Sequence, residues 1–200
     1  MKKEMTKYLL KNSGLVFLIN LVFAVLGLIG LVLAQWTWAQ IAFGFIMVLS
    51  QIGLYGFFGY SESYHGALFV SGNKDKPSST GQDGAVGDRY HVKSFAVWKG
   101  YVIPTITESL PFLFLLLGVA IEPMRRGVQV FVGIWYSSFA TLANGFGASV
   151  TAPEGIGLLA IMFLPMVFSI VSYGTGYLIG GLRKKRLHRQ LDVDIASYDL

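Results

Sequence analysis

No cysteine occurs among the 200 residues. That removes disulfides, thiolate catalysis and cysteine-ligated metal sites. Charge is scarce as well: 14% of residues are Asp, Glu, Lys or Arg, against about a quarter in soluble domains. The short patterns that carry common chemistries are missing too. "GQDGAVGD" sets glycines at 81, 84 and 87, but no Lys-Ser/Thr follows and no strand precedes it, so neither a P-loop nor a dinucleotide fingerprint is met. There is no H-E-x-x-H, no serine nucleophile motif and no intramembrane aspartate pair. Nothing here supports an enzyme, and no cofactor or metal is expected.

What fills the chain is apolar. Hydrophobic residues make up 54% of it, gathered in runs of about 20, the length needed to cross roughly 30 Å of hydrocarbon at about 1.5 Å per residue. This predicts an all-α integral membrane helical bundle, because a β-barrel would show alternating segments of about ten residues. A net charge of +5 would suggest nucleic acid for a soluble chain. Here the basic residues flank the apolar runs, so the expected partner is a bilayer with anionic headgroups.

The first span is expected at 14–34, behind Lys2, Lys3, Lys7 and Lys11. A positive start before an apolar run also describes a signal peptide, but this run exceeds a signal core and a second follows at once. "QWTWAQ" connects it to a second span at 41–60, with Trp36 and Trp38 suited to an interface. Residues 61–99 read as a flexible cytosolic loop, rich in Gly, Ser, Asp and Pro. Its end, "YHVKSFAVWKG", turns amphipathic. The third span, 100–121, contains Pro104 and Pro111 and should be kinked. Residues 122–155 form an outer connection. Within it, 128–147 is less apolar, with Gln129, Ser137, Thr141 and Asn144 mostly on one side of a helix. The last span covers 156–182 and a basic tail covers 183–200.

Counting Lys and Arg sets orientation. Four spans with the N-terminus inside leave only Arg125 and Arg126 outside, so 14 of the 16 basic residues and both termini are cytosolic. Five spans, with 128–147 crossing, would give 9 inside and 7 outside. A re-entrant 101–121 would put all 16 inside. The expectation is four spans, with 128–147 lying at or dipping into the outer face.

Several stretches resemble a family. "HGALFVSGNKDK", "VWKGYVIPTITESLPFLFLLL" and "SYGTGYLIGG" are similar to stretches in a group of uncharacterised polytopic membrane proteins of comparable length from Gram-positive bacteria. The shared pattern is a small residue before Lys-Asp, a basic-Gly entry into a proline-containing span, and a Tyr-Gly/Gly-Tyr end. The resemblance covers 61–121 and 156–182 and implies the topology and a bacterial plasma membrane. It transfers no catalytic or binding residue, and this chain departs from the pattern at 77–88 and at Glu108.

Glu108 is the sharpest candidate. It lies about eight residues past Gly100, on the order of 12 Å into the span, where a carboxylate costs about 3 kcal/mol on insertion scales and needs a partner. Pro111 leaves the Thr107 carbonyl without its helical donor. Thr105, Thr107, Glu108 and Ser109 would thus form a polar knot able to hold a cation or proton. The competing expectation is a kink whose carboxyl serves structure alone. Gly53, Gly56 and Gly59, and Gly176 with Gly180, are spaced for close helix packing. Arg183, Lys184, Lys185, Arg186 and Arg189 suit lipid headgroups. His65 with Glu62 supplies too few ligands for a metal, and His91 is remote. The expected function is a non-enzymatic accessory, assembly or regulatory subunit, bound to a membrane-protein partner or to itself. The alternative is a small oligomeric transporter or channel using Glu108.

Overall fold

The computed structural model describes residues 2–32, 36–66, 95–147 and 156–198. They form an all-α bundle: α1 (Lys2–Val32), α2 (Thr37–Ser61) with a π-turn at Glu62–Gly66, α3 (Val97–Ala120), a 3₁₀ turn at Glu122–Met124, α4 (Arg125–Trp135), α5 (Ser137–Gly145) and α6 (Ile156–Tyr198). Among these, α1, α2, α3 and α6 are long and apolar enough to cross a membrane. Their outward faces are apolar: Leu18 and Val25 on α1, Ile46 and Phe57 on α2, Leu113 and Leu116 on α3, and Val167 and Val171 on α6 are all exposed. Such a surface suits hydrocarbon, in which a helix must satisfy its own backbone. Most of the expected 61–99 loop, at 67–94, lies outside the described residues.

Helix limits differ from the hydropathy reading in one consistent way: helices outrun the apolar stretches. α1 begins at Lys2 and not near residue 14, and α2 with its π-turn runs into the start of the expected loop. α6 carries on through the basic residues that were expected to leave the span at 182. Lys, Arg, Leu and Gln are good helix formers, so leaving the apolar layer gives no reason for the helix to stop.

The prolines do not break α3. Pro104 and Pro111 both lie inside one helix, so 101–121 is a through-going element and not the re-entrant loop. Two hydroxyls beside the prolines tie α3 to α1. Ser13 Oγ donates to the Ile103 carbonyl at 2.8 Å, and Thr107 Oγ1 donates to the Ser13 carbonyl at 2.9 Å. This exchange holds α3 against α1 at the level of the prolines, whose missing donors are those of the Gly100 and Thr107 carbonyls.

The re-entrant element is instead 125–145. α4 leaves the far end of α3, where Val128 lies against Gly118, and runs back along it. Phe131 meets Phe114 at 4.8 Å between ring centroids, and Tyr136 reaches Glu108. The backbone bends at Tyr136 (φ −108°, ψ 39°). α5 then returns beside α1 and α2. Ser137 Oγ donates to the Ala24 carbonyl at 2.8 Å, Thr141 Oγ1 donates to Gly27 at 3.1 Å, and Gly145 lies against Ile41 near the start of α2. With 11 and 9 residues, at about 1.5 Å each, neither helix can cross alone, and no fifth span forms among the described residues. The polar stripe has its cause here: the short side chains of Ser137 and Thr141 bond the carbonyls of α1 and draw the helices close.

Two apolar clusters fill the interior. Val16, Ile19, Phe23, Met47, Tyr55, Ile103, Tyr173 and Tyr177 pack among the four long helices. Val48, Val128, Val132, Trp135, Tyr136, Phe139 and Met166 pack around the inserted pair.

Candidate functional site

Between those clusters runs a buried chain of polar side chains. Glu108 on α3 is 3% exposed. Its Oε1 accepts from Asn20 Nδ2 of α1 at 3.1 Å and from Ser169 Oγ of α6 at 2.7 Å. Its Oε2 accepts from the Tyr136 hydroxyl at the tip of the inserted pair. The chain continues into α2. Asn20 Oδ1 accepts from Gln51 Nε2 at 3.1 Å and from the Tyr55 hydroxyl, while Gln51 Oε1 accepts from Ser138 Oγ at 2.6 Å. The four long helices and the α4–α5 joint thus meet in one hydrogen-bonded unit.

The chemistry of the unit follows from its donors. All three groups bonded to Glu108 are neutral, and each points a hydrogen at the carboxyl. Asn20 turns its oxygen away, toward Gln51 and Tyr55. A cation wants oxygen lone pairs aimed at it, and here the oxygens nearest the carboxyl are used as donors toward it. The arrangement satisfies a buried carboxyl and fixes the joint between α4 and α5.

The grouping read along the chain is not assembled. Thr105 and Ser109 are exposed, and their hydroxyls return to their own helix, to the Tyr101 carbonyl at 2.7 Å and the Ile106 carbonyl at 2.6 Å. Thr107 is buried but is spent on Ser13. At 100° per residue, chain neighbours of Glu108 point elsewhere. The double substitution Thr105→Ala with Ser109→Ala is therefore expected to change stability by less than about 0.5 kcal/mol, as read by unfolding in mixed micelles.

Four of the five singled-out glycines form one seam between α2 and α6. A Cβ at Gly59 would strike the Tyr173 carbonyl, one at Gly176 would strike the Gly56 carbonyl, and one at Gly180 would meet Ser63 and the Tyr60 carbonyl. Gly53 is apart, with open space around it. A spacing of three turns each glycine about 60° back from the last, so three in a row cannot share a narrow seam.

The basic ends of the helices gather at one end of the bundle. Arg183 donates from Nη1 to the Tyr60 hydroxyl at 3.1 Å, and Arg183 and Arg186 are exposed. Lys184 and Lys185 are half-buried, and the side chain of Arg189 lies outside the described residues. Glu62 does not serve His65. It accepts from the Tyr8 hydroxyl at 2.6 Å and Asn12 Nδ2 at 3.3 Å, while His65 is exposed and stands edge-on to Tyr64. His91 lies outside the described residues. Lys99 is 1% exposed and sets its ammonium over the rings of Tyr8 and Trp98, at 5.6 and 5.9 Å.

Sequence reasoning missed Asn20, Gln51, Tyr55, Tyr136, Ser138 and Ser169. A signal existed for two of them: Asn20 and Gln51 are strongly polar residues near the middle of apolar runs, placed as Glu108 is. No family model matches the chain, and neither a curated protein nor a solved structure matches it.

Proposed function

We propose that the chain is a non-enzymatic multi-pass membrane protein that works as an accessory, assembly or regulatory subunit of a membrane complex. The observation that carries this reading is the closed state of its polar interior. Both oxygens of Glu108 are occupied by donors from three other parts of the bundle, at 3% exposure. A side chain so engaged holds helices together. The reading includes a bacterial plasma membrane with both termini cytosolic. It is supported by the family resemblance and by the gathering of Lys7, Lys11, Lys99 and Arg183 to Arg186 at one end, opposite Arg125 and Arg126.

A second reading, a small oligomeric transporter or channel, draws on the contact between Glu108 and the re-entrant tip at Tyr136, since broken helices meeting an ionisable group at mid-depth are how transporters build sites. Isolation of the tagged protein in mild detergent, with mass spectrometry of what accompanies it, separates the two. A stoichiometric partner is the expected result. Isolation alone, together with cation or proton flux in proteoliposomes that Glu108→Gln abolishes without unfolding the protein, would replace the first reading by the second.

A further inference from the structure

On the lipid-facing side of the α2–α6 seam lies an open apolar groove of about 450 Å³, lined by Ile52, Gly56 and Tyr60 from α2 and by Val171, Thr175 and Ile179 among the α6 residues. Its shape comes from the glycines. Gly56 and Gly176 bring the two backbones together and leave no side chain above the contact, so the flanking Ile52, Val171 and Ile179 stand as walls. The lining residues repeat every three or four positions on both helices, so the groove follows the helix axes for about 12 Å.

The groove has a charged end. On α6 the stripe 172, 175, 179 continues one turn further to Arg183 and then to Arg186. Arg183 is exposed, and one guanidinium N–H is tied to the hydroxyl of Tyr60, itself a lining residue. That bond holds the guanidinium at the mouth of the groove, at the end where the basic residues gather, and an arginine has five N–H donors.

We propose that this groove and Arg183 form a site for one anionic phospholipid, with an acyl chain laid along Gly56 and Gly176 and the phosphate on the guanidinium of Arg183. An apolar slot leading to a cation matches the two ends of such a molecule. A transmembrane helix fits less well, because the groove spans about two turns and ends in charge. The site goes beyond general headgroup attraction, which would treat all the basic residues alike, and it does not depend on the subunit reading.

The test uses the full chain, washed free of lipid in mild detergent, with phosphatidylglycerol and phosphatidylcholine of identical chains as probes and native mass spectrometry as the count. One phosphatidylglycerol per chain is expected, bound about tenfold more tightly than phosphatidylcholine, whose choline ammonium offsets the attraction of its phosphate to Arg183. Arg183→Ala should remove that preference, weakening phosphatidylglycerol more than phosphatidylcholine, whereas Arg125→Ala at the opposite end should change nothing. Gly56→Leu should weaken both lipids, because a Cβ there meets only the Ser172 carbonyl at 3.7 Å and the side chain would occupy the slot. Thr175→Phe fills the same slot from an exposed position of α6 and serves if Gly56→Leu does not fold. Equal binding of the two lipids, an unchanged preference in Arg183→Ala, or a dimer that Thr175→Phe splits would overturn the proposal.

Discussion

Glu108→Ala is expected to destabilise the isolated protein by about 3 kcal/mol, and Glu108→Gln by about 1 kcal/mol. Alanine strands two buried donors, on Asn20 and Tyr136, and leaves Ser169 with only its bond to the Met166 carbonyl at 3.2 Å. A single hydrogen bond within a membrane bundle averages about 0.6 kcal/mol, while a buried donor left unpaired costs about 1 to 3 kcal/mol. Two stranded donors and one lost bond at Ser169 together come to about 3 kcal/mol. Glutamine keeps one acceptor and the shape of the side chain, and the hydroxyls of Tyr136 and Ser169 can turn to accept from its amide. The ranking is measured by reversible unfolding in mixed micelles. If alanine and glutamine cost the same within 0.5 kcal/mol, the carboxyl is not the centre of the unit.

The same substitution should also loosen the inserted pair, since Tyr136 at its bend is one of the groups set free. Ala140 on α5 is fully buried, and the chain has no cysteine of its own. Ala140→Cys is therefore expected to resist a thiol reagent in the otherwise unchanged protein and to react in the Glu108→Ala background. Equal reactivity in both would separate Glu108 from the positioning of α5.

The span count was legible because hydrocarbon imposes it: about 20 apolar residues are needed to cross, and four helices meet that need. The fate of 128–147 was half legible. Its polar stripe showed that it could not face lipid all round, but only the fold shows that Ser137 and Thr141 face the carbonyls of α1. The site was legible at one residue. Glu108 stands out because its charge is out of place, whereas its partners are neutral residues that lie 28 to 88 positions away in the chain. Thr105, Thr107 and Ser109 are near Glu108 in sequence, and helix geometry turns each of them in another direction. Proline was misleading in the same region, because a sequence shows the donors that Pro104 and Pro111 lack but not that both lie inside one continuous helix, held to α1 through Ser13 and Thr107.

Gly176→Val is expected to cost more than any single loss of a hydrogen bond, about 3 kcal/mol or above. A Cβ at Gly176 would fall on the Gly56 carbonyl oxygen and within 2.8 Å of its carbon. The obstacle is backbone, so no side chain can rotate away, and the helices themselves must move apart. Overpacking a tight core costs about 1 to 3 kcal/mol even where side chains can adjust. Separation would also open the contact at Gly59, where the Tyr173 carbonyl is equally close, and pull Ser169 on α6 away from Glu108. Gly53→Ala provides the contrast on α2. Nothing lies within 4 Å of its Cβ, and replacing glycine in a helix favours the folded state by up to about 1 kcal/mol. Unfolding in mixed micelles should therefore place the two variants on opposite sides of the unmodified protein. A Gly176→Val chain as stable as Gly53→Ala would mean that α2 and α6 do not meet through their backbones.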